Sequence, residues 1–490
     1  MPEVKEHYGI LKNYIEGKWV DSASDKTEAV INPATGKEIA RVPMSTRKEV
    51  DDAVAAAKEA WWSWRETPPV TRARMMFAVK ELLEQHFEEI ARIMVQENGK
   101  TIDEARGETR RAIENVEVAS GITTLQMGYS LEDGAGSGID EEAIRQPLGV
   151  FACIAPFNFP AMIPFWFWPY AVACGNTYVI KPSRQVPCTM QYILELIDRV
   201  GFPPGVINLI NGSHDVADAL MEHPDIKGIS FVGSTPVARH VYKTCAQYGK
   251  RVQAQGGAKN CLVVMSDAVL PQAVSNMLSS CFGCAGQRCL AGSNLLIMED
   301  IYDEFKERFI ARAKNIKVGY GLDESVNMGP VISAKARAKI LDYIEKAISE
   351  GGRLLLDGRD IKVEGYPDGF FIGPTVFENV TPDMTIAKEE VFGPVVSLMK
   401  ISSLDEAIDI IHSSPFGNAA SIYTQSGKIA REFKYRVQAG NIGINLGIAA
   451  PMAYFPFAGY KDSFFGDLHG QGMDAINFFT DRKVVITRWI

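Results

Sequence analysis

Four short apolar runs decide the fold: Val150-Phe-Ala-Cys-Ile-Ala155, Thr177-Tyr-Val-Ile180, Val206-Ile-Asn-Leu-Ile210 and Gly228-Ile-Ser-Phe-Val232. Each has strand length, and helical segments separate them. Buried strands alternating with helices are the pattern of a parallel sheet covered on both faces. Working outward, a second series starts in Cys261-Leu-Val-Val-Met265 and continues through Asn294-Leu-Leu-Ile-Met298 and residues 395–401. Two α/β domains meeting near residue 256 are expected.

Upstream, residues 48–64 are Ala-rich and helical by period. Residues 72–98 put Met76, Leu83, Phe87, Ile90 and Met94 on one face of a single predicted helix, and Gly99 supplies a stop. Residues 123–144 and the last thirty or so lack a helix-sheet partner, and the Gly/Asp-rich stretch 130–138 predicts a hairpin turn. No internal repeat or low-complexity tract is present.

A chain of 490 residues with 46% hydrophobic and 23% charged content belongs with globular proteins of two or three domains. The net charge of −9, from 51 basic and 60 acidic residues without long blocks of either sign, argues against a nucleic-acid surface. No basic stretch followed by an apolar core marks a signal peptide. The most apolar window, residues 150–180, is broken by Asn158, Pro160, Pro164, Pro169 and Gly175 and makes a poor membrane span. Eight cysteines set mostly in apolar runs suit a reducing, cytoplasmic setting.

Three segments carry chemistry. Phe231-Val-Gly233-Ser234-Thr235 is a strand ending in a small-residue turn before a predicted helix at 237–248, where backbone amides can approach a phosphate. Alone, such a turn is more often structural. Lys181-Pro-Ser-Arg184 ends a buried strand, at the sheet edge where open α/β folds hold ligands, although a solvated strand-end charge reads equally well. Cys281-Phe-Gly-Cys284-Ala-Gly-Gln-Arg288-Cys289 invites a metal or redox reading. No second ligand pair and no nearby His supports zinc, and no βαβ setting supports a thioredoxin-like motif. Cys281 and Cys284 read as small core residues, and Cys289 as a thiol that can be reached in a flexible, polar segment.

These motifs, with Asn158 in Pro156-Phe157-Asn-Phe-Pro160, Gly256-Gly-Ala-Lys259 and Glu389-Glu390-Val-Phe392-Gly-Pro394, stand in the order and spacing of the aldehyde dehydrogenase superfamily. The resemblance runs from about residue 12 to 489. It implies an α/β chain of two doubly wound domains with a small β oligomerisation arm, assembled as a homotetramer or homodimer. The expected division is 1–122 with 145–255 for the dinucleotide, 256–455 for catalysis, and 123–144 with 456–490 for the arm.

Carried onto this chain, the resemblance makes Cys289 the nucleophile that forms a thiohemiacetal and then a thioester with an aldehyde. The Asn158 amide and the Cys289 N–H are the implied oxyanion donors. Lys181 is assigned to the adenine-side ribose, Gly233 and Ser234 to the pyrophosphate turn, Glu390 to the nicotinamide-side ribose, and Phe157 and Phe392 to the cofactor site, Phe392 beside the ring. No metal is implied.

Three departures narrow the reading. Gln255 stands where hydrolytic members carry Glu, and an amide cannot take a proton from water at neutral pH. The branch lacking this Glu, the coenzyme A-acylating methylmalonate-semialdehyde dehydrogenases, resolves its thioester with a thiol instead, although that branch carries Asn here. The same branch clamps a substrate carboxylate with two arginines, corresponding to Arg111 and Arg288. The bland alternatives are a helix-surface charge and a loop salt bridge. Further branch similarity lies in Leu354-Leu-Leu-Asp-Gly-Arg359 and Phe457-Ala-Gly-Tyr-Lys461. Arg184 replaces the Glu with which NAD-preferring relatives bind ribose hydroxyls, so NADP is favoured over NAD unless Arg184 faces solvent. The expected activity is oxidation of malonate or methylmalonate semialdehyde to an acyl-coenzyme A with loss of CO₂. The rivals are a non-acylating NADP-dependent dehydrogenase that releases a free acid, and a lens-like structural protein that keeps the fold without the chemistry.

Overall fold

The computed structural model describes residues 4–490. Two sheets dominate it. The first has eight strands, ordered Lys18–Val20, Asn13–Ile15, Ile207–Leu209, Thr177–Lys181, Val150–Ile154, Ile226–Val232, Arg251–Gln255 and Phe464–Gly466. Its five central strands are parallel, and antiparallel strands close both edges. The chain starts this unit at Val150–Ile154, builds two strands to one side and then returns to build on the other. The order therefore reverses between Val150–Ile154 and Ile226–Val232. Parallel sheets of this kind bind ligands beyond the C-terminal strand ends at such a switch point.

The second sheet has seven strands, ordered Arg353–Leu356, Thr375–Glu378, Val395–Ile401, Gly292–Met298, Asn260–Val264, Ala419–Tyr423 and Asn441–Ile444. All but the first pairing are parallel. The runs Val150–Ile154, Thr177–Lys181 and Asn260–Val264 are buried at every position, as strands covered on both faces must be.

A third, antiparallel sheet joins Thr480–Arg488, Ile139–Pro147 and Tyr129–Leu131, the last two connected by the expected hairpin. Residues 456–490 divide between bodies: Phe464–Gly466 extends the first sheet, whereas Thr480–Arg488 pairs with Ile139–Pro147.

The single helix expected over residues 72–98 is two helices, Pro69–Gln85 and Phe87–Asn98, broken at His86 (φ −108°). His86 Nδ1 lies 2.9 Å from Glu89 Oε2, so the side chain takes a partner in the first turn of the second helix. An apolar stripe that continues across such a break conceals it. Gly99 caps the second helix at φ 89°, as its position predicts.

Candidate active site

Each side chain singled out near the first sheet sits just past a C-terminal strand end. Phe157 and Asn158 follow Val150–Ile154, Gly233 and Ser234 follow Ile226–Val232, and Lys181 and Gln255 end their own strands. Ser234 is the N-cap of Thr235–Gln247, a helix two residues longer at its start than predicted, and its hydroxyl makes no capping bond. The helix start thus keeps unpaired amides facing the switch point.

Lys181 is 6% exposed, and among the described residues its ammonium makes one hydrogen bond, to Pro182 O at 3.4 Å. Burial, with Arg184 nearby, lowers its pKa to about 8. A buried cation so poorly satisfied calls for an anionic or hydroxyl-bearing ligand. Glu390 is a buried ionisable group of the opposite sign. Its Oε1 accepts the Ala258 N–H at 2.9 Å, and burial raises its pKa to about 7. A Cβ at Gly257 would come within 2.6 Å of Glu390 Oε2, so a larger residue there would have to displace that carboxylate. The phenyl rings of Phe157 and Phe392 meet edge to face at 5.8 Å. The open part of this cleft encloses about 860 Å³, with Ser234, Thr235, Lys259, Lys339, Tyr343 and Glu390 in its walls. Together these groups fit a dinucleotide: amides for phosphate, Lys181 and Glu390 for ribose hydroxyls.

Cys289 comes from the second sheet, three residues before Gly292–Met298. The turn delivering it holds Cys284, Ala285 and Gly286 successively at φ 50°, 52° and 72°. Non-glycine residues in this region cost about 1–2 kcal/mol each. Glu104 holds the turn down by accepting the Cys284 N–H at 2.6 Å, and a Cβ at Gly286 would strike Gly393 O at 2.1 Å.

The flexible, polar segment expected around Cys289 is instead a buried turn. Cys289 is 9% exposed, and its carbonyl accepts from both Asn418 Nδ2 (2.7 Å) and Asn260 Nδ2 (2.8 Å). Burial, with Glu390 adding to it, pushes the thiol pKa up to about 12, against the N–H groups of Cys289 and Leu290 that face the sulfur. Asn158 crosses to this turn: its Nδ2 donates to Gln287 O at 3.1 Å, leaving a second N–H free of that bond. Gln255 Nε2 donates to Asn418 Oδ1 at 3.1 Å. All eight cysteines are free thiols, and Cys281 and Cys284 are core residues.

The two arginines are not joined. Arg288 is largely buried, its Nε 3.2 Å from Cys284 Sγ and its guanidinium 3.5 Å from Glu104. Arg111 pairs with Glu114 at 2.8 Å and reaches Met452 Sδ at 2.8 Å, on the loop between Asn441–Ile444 and Tyr460–Lys461. Arg184, 41% exposed, bonds Glu28 Oε1 at 2.6 Å.

Sequence reasoning did not foresee Asn260 and Asn418 on the Cys289 carbonyl, nor the buried Lys100–Glu108 pair that braces the Asn158 segment. An Asn just before or at the start of a strand looks like ordinary turn chemistry, so no local signal marks the first two. Lys339 and Tyr343 lie on the helix Ala334–Ser349 and look like its solvated face.

The aldehyde dehydrogenase family model matches residues 19–485, so the chain belongs to the aldehyde dehydrogenase family. It is 52% identical to malonate-semialdehyde dehydrogenase 1 of Geobacillus thermodenitrificans over 480 residues, covering 98% of this chain and 99% of that one. Malonate-semialdehyde dehydrogenase 1 of Geobacillus kaustophilus is 50% identical and fully covered, as is this chain. Among solved structures, methylmalonate-semialdehyde dehydrogenase of Oceanimonas doudoroffii superposes with a TM-score of 0.97 at 42% identity, over 98% of this chain and 99% of its own. The NAD+ complex of an aldehyde dehydrogenase from Bacillus cereus superposes at 0.93 and 32% identity, over 98% and 96%.

Proposed function

We propose that this chain oxidises a short carboxylate-bearing semialdehyde, malonate or methylmalonate semialdehyde, and transfers the acyl group to coenzyme A with loss of CO₂. Cys289 Sγ adds to the aldehyde carbon, and the thiol proton passes to solvent water. The free N–H of Asn158 and the N–H of Cys289 hold the oxygen that becomes negative. The bound nicotinamide dinucleotide supplies the two-electron acceptor for the aldehyde hydrogen. Ser234 and the following helix start hold its phosphates, and Lys181 and Glu390 its ribose hydroxyls. Phe157 and Phe392 exclude water from the nicotinamide end.

One observation carries the acyl-transfer reading: position 255 holds an amide, buried and committed to Asn418, so no carboxylate there draws a proton from water. A thiolate attacks a thioester without such help. The names of the relatives at 50–52% identity support the substrate. For the cofactor, Arg184 supports NADP over NAD, with Glu28 as its competitor. The division into a dinucleotide domain (1–122, 145–255), a catalytic domain (256–455) and an arm (123–144, 456–490) is drawn from the resemblance. Exposed Tyr129, Leu131, Val484, Ile486 and Trp489 on or beside the third sheet support pairing with further copies in a dimer or tetramer. Free buried thiols suit a cytoplasmic setting.

The test is product analysis with malonate semialdehyde, with and without coenzyme A and with each dinucleotide. Acyl-coenzyme A formation that requires the thiol is expected, and Cys289→Ala should abolish it while dinucleotide binding survives. Equal turnover to a free acid without coenzyme A refutes acyl transfer, and substantial turnover in Cys289→Ala refutes the covalent route.

A further inference from the structure

A peptide oxygen only accepts hydrogen bonds, so an asparagine side chain can serve it in one sense alone. Asn418 and Asn260 both serve the Cys289 oxygen. Asn260 is fixed independently: its Nδ2 also reaches Ala291 O at 2.9 Å, and its Oδ1 accepts the Ala419 N–H at 3.0 Å. Asn418 is fixed from the other sheet. With Nδ2 on Cys289, its Oδ1 must point away, and Gln255 Nε2 meets it at 3.1 Å. Gln255 is 4% exposed and Asn418 1% exposed, so water does not compete for these bonds. The Asn418 backbone oxygen is held as well, by the N–H of Asn441 at 3.0 Å and Asn441 Nδ2 at 3.0 Å. Only the orientation of the side-chain amide is left for Gln255 to decide.

We propose that Gln255 is a positioning residue: by donating to Asn418 Oδ1 it fixes the sense of that amide, and through it the peptide of the nucleophile. This rests on Cys289 being the nucleophile. An ionised carboxylate at 255 has no hydrogen to donate and sets acceptor against acceptor. Asn418 must then turn over, which aims its own oxygen at the Cys289 carbonyl, or the carboxyl must take up a proton. Restoring a glutamate at 255 therefore loosens the nucleophile instead of creating a hydrolase.

The test compares wild type, Gln255→Glu, Asn418→Leu and the double variant. The rate of iodoacetamide labelling at Cys289, located by peptide mass, is followed against pH in the full-length enzyme. Steady-state kinetics and the yield of free acid without coenzyme A accompany it. Losing one buried hydrogen bond in this way slows labelling about ten- to a hundredfold in Gln255→Glu above pH 7. The ratio to wild type should return toward one below about pH 6, where a buried carboxyl holds its proton and donates. That recovery is read within one protein, so a general folding defect cannot imitate it. In turnover, kcat should fall with KM little changed. The double variant should be no slower than Asn418→Leu, because both act through one bond. Labelling in Gln255→Glu that matches wild type at every pH, additive losses in the double variant, or a gain of free acid each overturn the positioning role. A wild type whose Cys289 is never labelled overturns the nucleophile assignment, and this inference with it.

Discussion

Replacing Lys100 by Met probes the support beneath Asn158. Lys100 and Glu108 form an ion pair with side chains 1% and 0% exposed. Lys100 Nζ also donates to Asn158 O at 2.8 Å and lies 4.2 Å from the centre of the Phe159 ring. The second carboxylate oxygen of Glu108 accepts the N–H groups of Ala161 (2.8 Å) and Met162 (3.1 Å). The pair therefore clamps residues 158–162 from both ends. Removing the lysine leaves a carboxylate buried with two neutral donors, and breaking such a pair costs about 3–5 kcal/mol. The lost ring contact adds about 0.5–2 kcal/mol. Removing the charge as well, in Lys100→Met with Glu108→Gln, should recover about half of the loss, since the amide oxygen still accepts from the loop. The measurement is the urea midpoint of the single variant against the double one. Comparing the two variants matters because a chain built on two large sheets need not unfold in one step. Turnover should fall in the single variant, as Asn158 loses the partner on its own carbonyl. A Lys100→Met protein within about 0.5 kcal/mol of wild type by that measure, with unchanged kcat, refutes the bracing argument, since surface-like substitutions move stability only that far.

Arg111→Leu or Arg288→Leu should raise KM for carboxylate-bearing aldehydes far more than for propanal, with about 2–5 kcal/mol lost where the pair is desolvated. Equal losses for both aldehydes mean that the arginines only hold Glu114 and Glu104. Titration of both dinucleotides should find NADP tighter than NAD by about ten- to a hundredfold at low ionic strength, as one charge-assisted phosphate contact predicts. Arg184→Glu should reverse the order and Glu28→Gln should sharpen it; if neither changes it, Arg184 serves only its ion pair. Burial pushes the thiols of Cys153, Cys174 and Cys245 up to about 12 and that of Cys261 to about 11. An unfolded thiol ionises near about 8.5. With the folded pKa raised, this contribution is whole below the unfolded pKa and is lost as pH rises through the window toward 11–12. The unfolding midpoint should therefore fall across that window, and a flat midpoint there refutes the burial argument.

The strands were legible because fully buried parallel strands leave continuous apolar runs: Val150–Ile154 and Asn260–Val264 are visible without any structure. The residues past their ends were legible because the motifs are contiguous, as in Lys181-Pro-Ser-Arg184. His86 was not, since an apolar face carried across a two-helix junction has the same period as one helix. The setting of Cys289 was misread for a related reason. Gly286, Gln287 and Arg288 look polar and mobile, yet Gln287 is 4% exposed and spends its side chain on Ile332 N–H at 3.0 Å and Cys284 O at 3.3 Å. Polar residues tied to backbone inside a turn read as solvent-loving until their partners are known.

What joins the site is longer in range still. The C-terminal strand ends of the first sheet meet the N-terminal strand ends of the second where Asn158 bonds Gln287 and Gln255 bonds Asn418, and Ala258, in the connection between the sheets, donates to Glu390. Their partners stand 129, 163 and 132 residues apart. No local pattern encodes contacts of that span, and the loop entropy of so distant a pairing is paid before the pairing rewards it. Each sheet alone carries half of the proposed site: the first holds Asn158 and Lys181, the second Cys289 and Glu390. The relative setting of the two sheets therefore decides how the Asn158 amide faces Cys289, and the bonds that cross between them are where that setting is fixed.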